Sequence, residues 1–184
     1  MALTHTQKKL METLIFLVRL AMLSLPVYII MNFTYLLYPV QLLVAKNVYN
    51  VLQLLGFHVT LKDITIIITE NAFVFLISED CTGWKSMLFF IALVVATMHV
   101  DVKKKICGIL VGVPIVYAGN IIRILAVVFV QQRYGITAAK LFHDYLWQAG
   151  LISLVLLTWV VWLMYAGKVN TSFLKKNRIN NNSD

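Results

Sequence analysis

Charge and thiols are scarce in this chain. Only 13% of its 184 residues are charged while 60% are hydrophobic, which lies outside the range of ordinary soluble domains and calls for a membrane as solvent. There are two cysteines and no Cys-x-x-Cys pair, so a thiol redox relay has little to stand on. The first apolar run lacks a small-residue cleavage site and is too long for a removable signal peptide. Acidic residues number eight against sixteen Lys and Arg, a formal charge of +8. That excess does not point to nucleic acid, because it is not spread over an amphipathic or Gly-rich surface. It sits in short clusters at the ends of apolar runs, the distribution of topology signals.

The composition predicts a multi-pass α-helical membrane protein forming one domain. Four runs are read as spans of the ~30 Å hydrocarbon core: residues 14–37, 84–99, 106–130 and 146–166. Lys8 and Lys9 precede the first, and Arg19 inside it can snorkel back toward them; Pro26 can kink it. Asp101-Val102-Lys103-Lys104-Lys105 joins the second to the third, and Lys168, Lys175, Lys176 and Arg178 follow the fourth. Basic clusters stay cytoplasmic. Both termini and the three-lysine loop are therefore expected inside, with residues 39–82 and 131–145 on the outer face of the cell membrane. Residues 168–184 are expected to form a disordered basic tail.

Residues 40–80 carry the outer-face elements. In PVQLLVAKNVYNVLQLLGF, residues 39–57, the polar Lys46, Asn47, Asn50 and Gln53 share one helical face, which reads as an interfacial amphipathic helix rather than a fifth span. A fifth span would also move the three lysines outside, against the charge bias. After Gly56 the period changes. DITIIIT and AFVFLIS are β-branched and aromatic runs flanking Glu70-Asn71, which predicts a β-hairpin. The hairpin delivers the chain to Cys81, placed where an extended apolar run ends and a long apolar helix begins.

Cys81 on the outer side and Cys107 on the inner side are separated by a hydrocarbon thickness, too far for a disulfide. Cys107 reads as a small residue in an apolar helix. Cys81 taken alone reads the same way, but three other residues change its weight. Arg123 in GNIIRILAVVFV lies inside the third span, where an ionisable group is by default a functional candidate. Counting 17 residues from Ile106 at ~1.5 Å each puts it ~25 Å across, at the level of Cys81. Asn120, three residues earlier, shares its helical face and can supply a further donor. His143 in KLFHDYLWQAG precedes the fourth span on the outer face; singly it reads as a solvated histidine at a helix start with Asp144 as N-cap. Thiol, guanidinium and imidazole thus come from three elements to one level of the membrane.

These groups suit acyl transfer without metal or cofactor. A cysteine near a helix N-terminus has its thiolate favoured by the dipole, and an imidazole can take the proton. The thiolate attacks an amide carbonyl, the histidine protonates the leaving amine, and the arginine steadies the oxyanion. Either Asp80 or Asp144 could orient His143.

The ordered set of an amphipathic helix ending LLGF, a hairpin, Cys-Thr-Gly at a span entrance, Asn-Ile-Ile-Arg in the next span and a histidine before the last resembles the exosortase and archaeosortase family of membrane transpeptidases, over residues 40–166. The resemblance implies Cys81 as nucleophile with Arg123 and His143 as catalytic partners. It implies substrates that are secreted or surface proteins bearing a C-terminal sorting signal of short motif, transmembrane helix and basic tail, with a membrane lipid as acceptor. CTG in place of CSG leans toward the archaeal branch. Many relatives carry additional N-terminal spans, and this chain has one before the core. A non-catalytic multipass transporter component or membrane assembly factor would explain the hydrophobicity and basic loops equally well, but not the cysteine and histidine at one level. A thiol oxidoreductase working with a quinone lacks a second outer cysteine.

Overall fold

The computed structural model describes residues 5–69, 73–145 and 149–180. The chain is mostly helical. In order come α1 (His5–Asn32), a 3₁₀ turn (Thr34–Leu37), α2 (Tyr38–Leu54), β1 (Val59–Lys62), β2 (Thr65–Ile68), β3 (Phe73–Leu76), a second 3₁₀ turn (Glu79–Thr82), α3 (Trp84–Ala96), α4 (Val102–Tyr145) and α5 (Leu151–Asn180). The expected turn at Glu70-Asn71, the start of the expected fourth span at 146–148, and residues 181–184 lie outside the described residues, as does the side chain of Asp144.

Two helices are long and apolar enough to cross a membrane, Leu10–Asn32 and Val102–His143, while Trp84–Ala96 and Leu151–Ala166 are shorter apolar helices. The second expected span, 84–99, ends three residues early, at Ala96. With 13 residues, α3 rises ~20 Å, about two thirds of a ~30 Å core. At the far end, the segment expected to be an outer loop at 131–145 is helical apart from a break at Gly135, whose φ of 83° and ψ of 177° interrupt α4. His143 therefore lies near the end of a helix and not at a helix start with Asp144 as its cap.

The helices run antiparallel. Asn120 of α4 donates to the Cys81 carbonyl just before α3 begins, and Lys105 of α4 donates to the Val95 carbonyl where α3 ends, at 2.8 Å. Thirteen residues of α3 are thus matched against about fifteen of α4, head to tail. Trp162 of α5 donates its indole N–H to the Lys104 carbonyl, and Trp159 donates to the Thr97 hydroxyl. Phe16 of α1 stacks on Trp159 with centroids 6.2 Å apart. Among these aromatic and lysine contacts Phe90, Leu93, Val94, Val116 and Val155 close a buried cluster. Indole N–H groups in such a position need partners, which the Thr97 hydroxyl and the Lys104 carbonyl supply.

A second cluster joins α2, the sheet and the later half of α4. Val44, Ala45, Val48 and Leu52 of α2 are fully buried against Ile66 and Ile68 of β2 and against Ile121, Ile124 and Val128 of α4. The apolar face of the amphipathic helix is therefore covered by the protein's own sheet and helix. Its polar side is exposed at Lys46, Asn50 and Gln53, while Asn47 donates to the Tyr117 hydroxyl at 2.7 Å.

The sheet is a three-stranded antiparallel meander in the order β1-β2-β3. Runs Thr65–Ile68 and Phe73–Leu76 pair with Thr65 opposite Leu76 and Ile68 opposite Phe73. An additional strand, β1, pairs with β2 from Val59↔Ile68 to Lys62↔Thr65. The strand expected from Asp63 begins two residues later, at Thr65. Asp63 instead turns the chain with φ 59°, a left-handed conformation that an aspartate tolerates. The Tyr38 hydroxyl donates to its carboxylate, and that bond raises the tyrosine pKa.

Candidate functional site

The 3₁₀ turn Glu79–Thr82 presents Cys81 between the end of β3 and the first turn of α3. Its entry is held from α2: the buried Gln41 donates to the Ile77 carbonyl at 3.0 Å. Ser78 opens the turn, its carbonyl accepting from the Cys81 N–H at 3.0 Å. The Ser78 hydroxyl donates to the Cys81 sulfur at 3.2 Å.

Thr82 is fully buried and its hydroxyl works in both directions. It donates to the Glu79 carbonyl at 2.7 Å and accepts from the Trp84 N–H at 3.4 Å. The hydroxyl thus binds the turn to the N-terminus of α3. A serine would supply the same hydroxyl, so CTG differs from CSG here by one buried methyl group.

Gly83 follows with φ 73°, a left-handed conformation that glycine adopts at little cost. A Cβ built on it would lie 2.8 Å from Cγ of Asn120. The glycine lets the Asn120 side chain lie flat against the backbone, and from there its Nδ2 donates to the Cys81 carbonyl at 2.8 Å. Asn120 is 1% exposed, and its Oδ1 has no hydrogen-bond partner among the described residues. An acceptor buried without a donor is unfavourable by ~1–3 kcal/mol. It is the kind of group a bound substrate N–H can satisfy.

Arg123, one turn further along α4, is 4% exposed. Its guanidinium lies within electrostatic reach of Cys81 and Asp80. Removing a guanidinium from solvent is unfavourable by several kcal/mol unless charge compensates, and a thiolate at Cys81 would be such a charge. Asp80 forms an ion pair with Lys85 at 2.7 Å, so one of the two carboxylates considered for orienting His143 is already engaged.

Cys81, Asn120 and Arg123 are thus brought together by the turn, α3 and α4. His143 is half-buried and stands on the segment of α4 beyond the Gly135 break. Cys107 is exposed on the first half of α4, and both cysteines are free. Among the described residues no group of three or more His, Cys, Asp or Glu side chains could hold a metal ion. Thr82 belongs to the Cys-Thr-Gly motif, whereas Ser78 and Gln41 lie outside every motif of the sequence. A serine three residues before a cysteine ahead of a glycine is a signal for a hydroxyl-opened turn, whereas the Gln41 contact spans 36 residues and leaves no local trace.

No curated protein and no solved structure matches the chain. The family pattern described as transmembrane exosortase matches residues 1–163, which takes in α1, the sheet, Cys81, Arg123 and His143. With that match over most of its length, the chain belongs to the transmembrane exosortase family.

Proposed function

We propose that this chain is a membrane-embedded cysteine transpeptidase that cleaves the C-terminal sorting signal of secreted or surface proteins and transfers the new C-terminus to an acceptor. Exosortases as a family are membrane transpeptidases acting on such signals. The observation that carries the reading is Asn120 of α4 bonded to the Cys81 carbonyl, with the buried Arg123 one helical turn further on.

In the proposed cycle the Cys81 thiolate, supported by the Ser78 hydroxyl and the α3 dipole, adds to the carbonyl carbon of the scissile amide. Negative charge moves to the carbonyl oxygen, where the Arg123 guanidinium stabilises it. Collapse breaks the C–N bond, the departing amine takes a proton from the His143 imidazolium, and a thioester remains on Cys81. His143, now neutral, takes a proton from the acceptor nucleophile as it attacks the thioester; the C–S bond breaks and Cys81 leaves as the thiolate, which restores the starting pair. Asn120 keeps the Cys81 backbone in place throughout and offers Oδ1 to a substrate N–H.

The acceptor is proposed to be a membrane lipid, and the four apolar helices to cross the membrane with both termini inside and the Cys81 level outside. CTG supports the archaeal branch only through the one buried methyl described above. The test is co-expression with a secreted protein ending in a short motif, an apolar helix and a basic tail. Full-length protein should accumulate with Cys81→Ala and Arg123→Lys, while Cys107→Ala processes normally. Lysine keeps the charge but loses the planar fork. Normal processing by Cys81→Ala would refute the proposal and favour a non-catalytic membrane assembly factor.

A further inference from the structure

At the end of α4 remote from Cys81, a hollow of about 770 Å³ lies against α5. Lys103 and Lys104 line one end, and Val111, Ile115, Leu157 and Val161 line its length. Val111, Leu157 and Val161 are 57%, 64% and 66% exposed, so the groove is open sideways to whatever surrounds the helices. Lys104 reaches the Ala166 carbonyl at 3.4 Å and lies 3.9 Å from Asp101. Lys103 is exposed and makes no hydrogen bond or ion pair among the described residues.

We propose that this groove binds one anionic membrane lipid, with the headgroup phosphate on Lys103 and Lys104 and an acyl chain laid along α4 toward Ile115. The dimensions fit: from Lys103 to Ile115 the helix rises ~18 Å, close to the ~15 Å of one leaflet's hydrocarbon. The polarity fits as well. A groove with cations only at its mouth and apolar groups along its length matches an amphiphile with one negative end, and basic pockets between membrane helices hold such headgroups. A sorting-signal helix ending in a basic tail would meet like charge at the same mouth.

This lipid is separate from any lipid that accepts the cleaved chain. Residues 104 and 120 are ~24 Å apart along α4, and it is Asn120 that touches Cys81. The role it fits is to fill the seam between α4 and α5, where Trp162 already bonds to the Lys104 carbonyl.

The test reconstitutes the full chain in phosphatidylcholine vesicles doped with phosphatidylglycerol carrying a diazirine in its acyl chain. After photolysis, adducts should concentrate on the segments 107–115 and 157–165, several-fold above those on the equally lipid-exposed α1. Lys103→Gln should lower them about fivefold, the share of one lysine at an anionic surface. Leu157→Trp, which fills the groove and leaves the charges, should lower them too; if it fails to fold, the exposed Lys103→Gln decides. Three results would overturn the proposal: equal labelling by a diazirine phosphatidylcholine, adducts no denser than on α1, or loss of adducts to added inorganic phosphate, which would mark a bare anion site.

Discussion

The side-chain amide of Asn120 donates to the backbone carbonyl of Cys81 at 2.8 Å across the face of Gly83, where a Cβ would lie 2.8 Å from the Asn120 Cγ. The nucleophile candidate is therefore positioned by α4 through its main chain, not its sulfur. Asn120→Ala should leave that carbonyl without its donor and lower stability by ~1–3 kcal/mol. Asn120→Asp keeps the shape but turns an acceptor toward the carbonyl, so processing should fall at least as far as with alanine. Gly83→Ala should act on the same contact from the other side, adding ~1–3 kcal/mol of backbone strain to the collision. Melting curves and the alkylation rate of Cys81 check all three, because a purely structural defect would move the first and not the second.

Gly135 separates the half of α4 that carries Arg123 from the segment that carries His143. Its φ of 83° with ψ of 177° belongs to a region essentially reserved for glycine, and nothing lies within 4 Å of an added Cβ. Gly135→Ala should thus act through the backbone alone, redirecting His143 and reducing processing severely. Gly56→Ala is the control: it too has a positive φ, 87°, and open space around it, but lies at the end of α2. Similar melting shifts with processing lost only at position 135 are the expected pattern, measured by substrate cleavage in cells.

The charge distribution and the antiparallel helices make a joint prediction about sidedness. In a Cys81→Ala, Cys107→Ala background, cysteines at Lys62 of β1 and at Lys104 of α4 should react from opposite sides of the membrane. An impermeant maleimide added to whole cells should label position 62 and spare position 104. Labelling at 104 from outside would invert the arrangement, and the outer-face reaction would fall with it.

What the sequence displayed and what it hid follow the range of the interactions concerned. Apolar runs and lysine clusters are local, so membrane class, the apolar part of α4 up to Val130 and the helix entering at Trp84 were legible, whereas the helical continuation of α4 through 131–145 was read as a loop. The β-branched runs displayed β2 and β3, but β1 was concealed because VTLK is short and Asp63 looked like part of a strand when it makes the turn. The length of α3 was overstated because Thr97, Met98 and His99 are apolar or neutral enough to extend a run; in the fold His99 turns at φ 58° and lies 3.8 Å from Glu12 of α1. The amphipathic α2 was visible, but its partners were not: the sheet follows it directly yet folds back over it, and α4, which completes the cover, is distant in sequence. At the site, Asn120 and Arg123 share a helical face by spacing alone. Gln41 and the packing of Asn120 on Gly83 needed the folded chain.

The central claim is that Cys81 carries the cleaved chain as a thioester, and mass spectrometry of the trapped adduct tests it most directly. Purified protein is mixed with a sorting-signal substrate, quenched in acid and digested. A substrate fragment ending at the cleavage site should be found on the Cys81 peptide, released by hydroxylamine, and absent from Arg123→Lys. Cleavage that proceeds with no adduct on Cys81, or with an adduct on Cys107 instead, would contradict the account.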